Sequence, residues 1–373
     1  MSLRVYRIKL SQCCVGEEEA GAVADVLRDG YLGCGEYVFA FERALESFFC
    51  DNVKVACVSS GTAAIQLALQ AIGVKSGDKI LVPSITYVAS FQAVSAIGAT
   101  PVACDVDIST GCMNLEDTCR KIDERVKAIL YVHYAGGFGD RERMLNLAQN
   151  EGVRLIEDAA HSFGSLCNEK LIEERSDVLC FSFDGIKNIT CGDGGCIVSN
   201  DNDVIDKVRI YRRLGIKETR DVITGECDFE IKDQGWRYHM NNLNAAIGIE
   251  QLKKINCFRD KRRRLASIYC SELNSSVVKL LDMDIKQTMP HIFPVLVADG
   301  KRNSLREFLF GQGIETGLHY KPNHLLSKFA GDKCPNAEEF GKRVISLPLH
   351  VSLSDQSVTE VCWLVNRFLM EGY

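Results

Sequence analysis

From about residue 55 the chain alternates between short β-like runs and helical stretches, and no other feature limits its fold so strongly. The runs are KVACVS, KILVPS, TPVACDV, KAILYVHY, VRLIED, DVLCFSF and GCIVSN, and TAAIQLALQAIG and DRERMLNLAQNEG are two of the helical stretches between them. Strands alternating with helices predict an α/β fold with a mainly parallel sheet covered on both faces. Such sheets carry their ligand chemistry at the carboxyl ends of the strands. The unusual residues of this chain fall there.

Ahead of the alternation, residues 16–50 read as helical, with Gly30, Gly33 and Gly35 breaking the pattern. After it, residues 214–236 read as an irregular polar excursion and about 242–274 as one long helical stretch. PHIFPVLV, SLREFLFGQG and SVTEVCWLVNRFLMEGY then read as strand, helix and closing helix of a smaller α/β domain. A chain of 373 residues has room for a large domain at 1–250 and a smaller one at 251–373.

Composition removes several classes of function. A formal net charge of -6 leaves no basic footprint for nucleic acid or an anionic membrane. No apolar run approaches the roughly 20 residues that span a bilayer, and MSLRVYRIKLSQCC lacks the apolar core of a signal peptide. The expected location is the cytoplasm. The 17 cysteines include no CxxC pair, and most lie inside apolar runs such as VACDV, so they read as reduced, buried thiols. No metal site is expected.

Three segments carry candidate chemistry. VSSGTAAIQLAL, residues 58–69, reads as a strand end, a small-residue turn and a helix. Ser60, Gly61 and Thr62 there serve either as an ordinary N-cap or as an anion site at the helix N-terminus. VRLIEDAAHSFG, residues 153–164, ends an apolar strand in Glu157 and Asp158. A carboxylate at that point either caps the following helix or holds a cationic ring nitrogen. FSFDGIKNITCGDGG, residues 181–195, sets Lys187 between a strand and a glycine cluster. A surface lysine is the plain reading; a lysine kept partly desolvated has a lowered pKa and forms a Schiff base with an aldehyde. Together with the aromatic-bearing loop SITYVASFQ, these are the parts needed to hold pyridoxal phosphate: a phosphate nest, a stacking face, a pyridinium partner and an imine-forming lysine.

In these segments, and in YLGCGEYVFAFE, YHMNNLNAAIGIEQL, GLHYKPNH and LPLHVSLSD, the chain resembles the DegT/DnrJ/EryC1/StrS family of nucleotide-sugar aminotransferases over nearly its whole length. The resemblance implies a fold-type-I enzyme that uses pyridoxal 5'-phosphate, usually a homodimer with each site completed by the neighbouring subunit. It implies that Lys187 binds the cofactor covalently and that Asp158 bonds the pyridine nitrogen. Tyr87 would stack on the ring, with His161 beside it. Gly61, Thr62 and Ala63 would lie at the phosphate, the backbone N–H groups of Thr62 and Ala63 facing it, and Ser182 would add its hydroxyl. His319, Tyr320 and His324 would lie on the substrate side. The family often reads GYNYRM where this chain reads GWRYHM, so Arg237 stands where an asparagine reaches the partner subunit's phosphate.

The same resemblance implies L-glutamate as amino donor and a nucleotide-linked keto-sugar as acceptor. The expected acceptor is a dTDP-linked 4-keto-6-deoxyhexose, used to make an amino sugar for a surface polysaccharide. A 3-keto acceptor and a non-catalytic cofactor-binding regulator are the alternatives. Dehydratases of the family have histidine at the imine-lysine position, so Lys187 favours transamination. A nicotinamide oxidoreductase, which a parallel sheet alone would permit, fails on its fingerprint because SSGTAA is not GxGxxG.

Overall fold

Seven strands, one from each predicted run, form a single sheet. In the computed structural model, which describes residues 6–49, 52–167, 170–171, 176–220 and 227–371, the chain runs β1 (Lys54–Val58), β2 (Lys79–Pro83), β3 (Thr100–Cys104), β4 (Val126–Val132) and β5 (Arg154–Asp158). A two-residue ladder, β6 (Leu166–Cys167) with β7 (Lys170–Leu171), precedes β8 (Val178–Ser182) and β9 (Gly195–Ser199). The sheet order is β1-β9-β8-β5-β4-β2-β3. Strands β3, β2, β4, β5 and β8 are mutually parallel, and β9 runs antiparallel to both of its neighbours. The central strands are apolar at successive positions because helices cover both faces; every residue of β8 and β9 is buried.

The helix Gly61–Ala71 lies on the sheet and is buried at every position from Ala63 to Leu69, which explains its lack of a polar face. Its start presses close to β8 and β9. A Cβ added to Gly195 would sit 2.7 Å from the Ser60 carbonyl carbon, so only glycine fits there.

The N-terminal helical region is two helices, Glu17–Asp29 and Glu36–Phe49, and Gly30 closes the first in the left-handed conformation (φ 77°). The stretch expected to be one long helix is two, Asn242–Lys253 and Ile255–Glu272, joined at Lys254. The first packs on the two N-terminal helices and the second on the closing helix Asp355–Glu371. Residues 214–236 depart from the expectation. They form an antiparallel ribbon, β10 (Ile216–Arg220) with β11 (Cys227–Ile231), and 221–226 lie outside the described residues. Phe229 and Ile231 are 62% and 57% exposed, so the ribbon has no core-facing alternation for the sequence to display.

The C-terminal part is a three-stranded antiparallel sheet, β12 (Val278–Leu280), β13 (Phe293–Val297) and β14 (Val344–Leu347), flanked by helices. Leu265, Tyr269, Val295, Leu309, Val358 and Val365 form its core, and Ile8 joins them by bridging to Ile314. Among the described residues the cysteines are free, eight of them buried, and burial pushes the thiols of Cys57, Cys180 and Cys196 far up. They pack as small apolar groups. No helix of the described residues is long and apolar enough to cross a membrane.

Candidate active site

The carboxyl ends of β1, β5 and β8 converge on a cavity of about 400 Å³. After β1, Ser60 takes an extended backbone and its Oγ accepts the Ala63 N–H at 3.1 Å. That cap leaves the N–H groups of Gly61 and Thr62 at the open first turn, where the helix dipole favours an anion. It also corrects the reading of Ala63, whose N–H already serves the cap. Ser182, at the end of β8, lies against the same turn: a Cβ on Gly61 would come within 2.7 Å of the Ser182 Cβ. One helix N-terminus and one hydroxyl thus face a common spot, which suits a phosphate.

Asp158 closes β5 and is buried, 6% exposed. Its Oδ2 accepts from Ser90 Oγ at 2.8 Å, and its Oδ1 accepts the Ala160 N–H at 3.2 Å. Thr86 Oγ1 lies 2.8 Å from Ser90 Oγ and, because Ser90 donates to the carboxylate, supplies that hydroxyl with its own proton. Burial pushes the Asp158 carboxyl up, and the Ser90 and Ala160 hydrogen bonds and the Lys187 charge pull it back. A buried carboxylate with one such short relay is suited to a cationic ring nitrogen. Neighbouring Glu157 does different work. Its carboxylate is held by His133 Nε2 at 2.8 Å and by Arg141 Nε at 2.6 Å, with Arg141 Nη2 also donating to Ser176 Oγ. Burial would raise it, but the His133 hydrogen bond and Arg141 charge prevail and hold it at about 2.

Lys187 stands on the loop between β8 and β9, half-buried at the cavity. Desolvation lowers its ammonium to about 8 from 10.5, against the opposing pull of Asp158 and Asp184. About a tenth is therefore free amine at pH 7, the form that adds to an aldehyde, far more than for an ordinary lysine. Asn188 fixes the loop: its Nδ2 donates to Phe163 O at 2.9 Å and to Met289 O at 3.0 Å.

His161, His291, His319 and Tyr320, in contact through their rings, form another wall of the cavity. His161 Nδ1 accepts the Ala135 N–H at 3.3 Å, so its neutral ring carries the proton on Nε2 and donates it to Tyr320 Oη at 3.1 Å. Burial drives His161 well below the usual histidine value and His319 to about 4, the Lys187 charge assisting in both. Tyr87, 61% exposed, lies at the cavity with its ring centroid 5.9 Å from that of Tyr320. Among the described residues no arginine lines this cavity.

The structure thus brings together Gly61, Thr62, Tyr87, Asp158, His161, Ser182, Lys187, His319 and Tyr320. It does not bring in His324, which is buried elsewhere, its Nδ1 2.6 Å from Ser84 Oγ and its Nε2 3.4 Å from Glu338. That histidine ties two segments together and does not line the cavity. Arg237 is exposed in a separate cleft with Tyr31, Arg213 and His239. Sequence reasoning missed Ser90, although it lies within the aromatic-bearing loop, and His291, which reads as the start of a strand.

A phosphate nest, an exposed tyrosine face, a buried strand-end carboxylate and a low-pKa lysine around one cavity define a pyridoxal-phosphate enzyme. The model of the DegT/DnrJ/EryC1/StrS aminotransferase family matches residues 13–366, and the chain belongs to that family. It is 35% identical over 342 residues to GDP-perosamine synthase of Escherichia coli O157:H7, covering 90% of each chain. The aminotransferase TlmJ of Streptoalloteichus hindustanus superposes with a TM-score of 0.90 at 30% identity, over 98% of this chain and 99% of that one. The PLP-form of the putative sugar aminotransferase Spr1654 of Streptococcus pneumoniae superposes with a TM-score of 0.91 at 26% identity, over 98% and 99%.

Proposed function

We propose that this chain transfers the amino group of L-glutamate to a nucleotide-linked 4-keto-6-deoxyhexose, in amino-sugar synthesis for a surface polysaccharide. The observation that carries the reading is Lys187, lowered to about 8 in the same cavity as buried Asp158. The names of the E. coli and S. pneumoniae relatives support a sugar as the acceptor.

Pyridoxal phosphate, when bound, would supply an electron sink for the transfer. The Gly61 and Thr62 N–H groups and the Ser182 hydroxyl hold the phosphate. Asp158 would keep a proton on the ring nitrogen, and Tyr87 and His161 would lie beside the ring. Lys187 would hold the cofactor through its Nζ, and the same Nζ, once free, would serve as the base that takes the proton from the amine-bearing carbon and as the acid that gives it back to the cofactor carbon. His319 and Tyr320 border the substrate. Both substrates use one site in turn, so ping-pong kinetics are expected.

Position 4 is favoured because a 4-keto sugar arises from a single dehydration, whereas a 3-keto sugar needs a further isomerisation. The test is incubation with glutamate and either dTDP-4-keto-6-deoxyglucose or its GDP-linked counterpart, followed by NMR of the product. An amine at carbon 4 is expected, with the dTDP sugar the better acceptor. An amine at carbon 3, or reaction only after a 3,4-ketoisomerase is added, contradicts the position. No transfer to any acceptor supports the regulator instead.

In the same reading the chain works in the cytoplasm as a homodimer, with a large domain at 1–250 and a smaller one at 251–373, and Arg237 serves the partner subunit's phosphate. Supporting this, Arg237 is exposed outside the cavity, beside Tyr31 and Leu214, which are 62% and 48% exposed. Arginine is a good phosphate ligand, so it can take over an asparagine's role there. Mixing Arg237→Ala with Lys187→Ala subunits is expected to restore activity that neither has alone, because each heterodimer gains one intact site. Absence of recovery after verified subunit exchange counts against a shared site.

A further inference from the structure

We propose that His291 binds the sugar acceptor directly, presenting its ring to a hydroxyl close to the reacting carbon. The inference rests on the function proposed above.

The segment that carries His291 is fixed with unusual thoroughness. The Met289 N–H donates to Ser165 Oγ at 2.8 Å, and Met289 O accepts from Asn188, the residue after Lys187. The His291 N–H donates to Ala135 O at 3.1 Å, and Arg262 Nη1 donates to the carbonyls of Pro290 and His291 at 3.2 and 3.1 Å. His291 is therefore held in register with the Lys187 loop. The ring, by contrast, has no hydrogen-bond partner among the described residues, although the residue is only 4% exposed and lines the cavity. A buried imidazole left unpaired in so well anchored a segment is costly. The residue lines the cavity, where a ligand hydroxyl would give the ring a partner.

The character of the wall selects which ligand. His291 lies with its ring centroid 4.6 Å from that of His161, and burial together with the Lys187 charge keeps both rings neutral. His319 and Tyr320, on the same wall, are also neutral. Neutral donors and acceptors match uncharged hydroxyls, whereas the carboxylates of an amino donor are best held by a cation. This wall accordingly fits the polyol part of the acceptor rather than the donor. Lys187 lines the same cavity, and its neighbour Asn188 is bonded to the carbonyl of Met289, two residues before His291, so a hydroxyl bonded to His291 would lie near the carbon that reacts.

His291→Phe keeps a planar ring and removes both nitrogens; His291→Gln keeps a hydrogen-bonding head. The phenylalanine variant is expected to raise the KM for the keto-sugar, and to weaken calorimetric binding of the analogue with a hydroxyl in place of the ketone, each roughly tenfold. Single-turnover reaction of the cofactor-loaded variant with glutamate is expected to stay within about twofold of the parent. The glutamine variant is expected to recover part of the acceptor affinity, and it carries the comparison should the phenylalanine variant fail to fold. Unchanged acceptor binding, or equal slowing of the donor and acceptor half-reactions, overturns the assignment. A parent enzyme that aminates no nucleotide sugar sinks the proposed function and this inference together, whereas normal turnover with unaffected variants sinks the inference alone.

Discussion

Lys187→Ala is expected to lower turnover by ~10⁴-fold or more, because both the covalent anchor and the proton carrier are lost at once. Among the described residues nothing else in the cavity replaces it: the other lining side chains are carboxyls, hydroxyls, neutral imidazoles and apolar groups. The loss should not come from unfolding. Lys187 titrates at about 8 in the folded chain against an ordinary 10.5, so its charged form is disfavoured by folding. That penalty, on the order of 3 kcal/mol, is fully present below pH 8 and fades as pH rises from there toward 10.5. Removing the lysine relieves it, so the cofactor-free alanine variant should melt no lower than the parent at pH 7 and lose that advantage at alkaline pH. Thermal melts at both pH values, beside steady-state assays, check the two halves of the expectation. A folded variant with near-normal turnover removes Lys187 from the chemistry.

Asp158→Asn is expected to slow both half-reactions by roughly 10³-fold, the scale seen when a directed charge is taken from a reacting centre. The amide is the same size, so the strand end and the Ser90 contact at 2.8 Å have little reason to move. What changes is electrostatic. An amide cannot keep a proton on the ring nitrogen, and the electron sink weakens accordingly. Single-turnover kinetics with glutamate and then with keto-sugar read the two halves separately. Near-normal rates in a folded variant that still carries cofactor would show that another group neutralises the ring.

Much of this architecture is legible in the sequence because burial writes it there. Each of the seven sheet strands is an apolar run bounded by turn residues, and each predicted run became a strand. The direction of β9 was missed. A parallel return needs a crossover of a dozen or more residues, usually a helix, and FDGIKNITCGDG between β8 and β9 forms a loop instead. The β10–β11 ribbon was illegible for the opposite reason: it stands in solvent, and nothing forces its side chains to alternate. The placement of Lys187 and Asp158 at one cavity is legible because a charged group beside apolar or small residues at a strand end is costly without a purpose. His324 misled because its partners, Ser84 and Glu338, are distant in sequence. Ala63 misled because a helix start shows which N–H groups are near an anion but not which one the cap uses. His291 was hidden for want of any local signal, since its emptiness is a property of the packed cavity.

The most direct test of the central claim is borohydride reduction of the cofactor-loaded protein followed by peptide mapping by mass spectrometry. Reduction fixes the cofactor to whichever amine holds it. The account predicts the added mass on Lys187 within FSFDGIKN, present in the parent and absent after incubation with glutamate. A label on another lysine, or one that glutamate leaves in place, would contradict it.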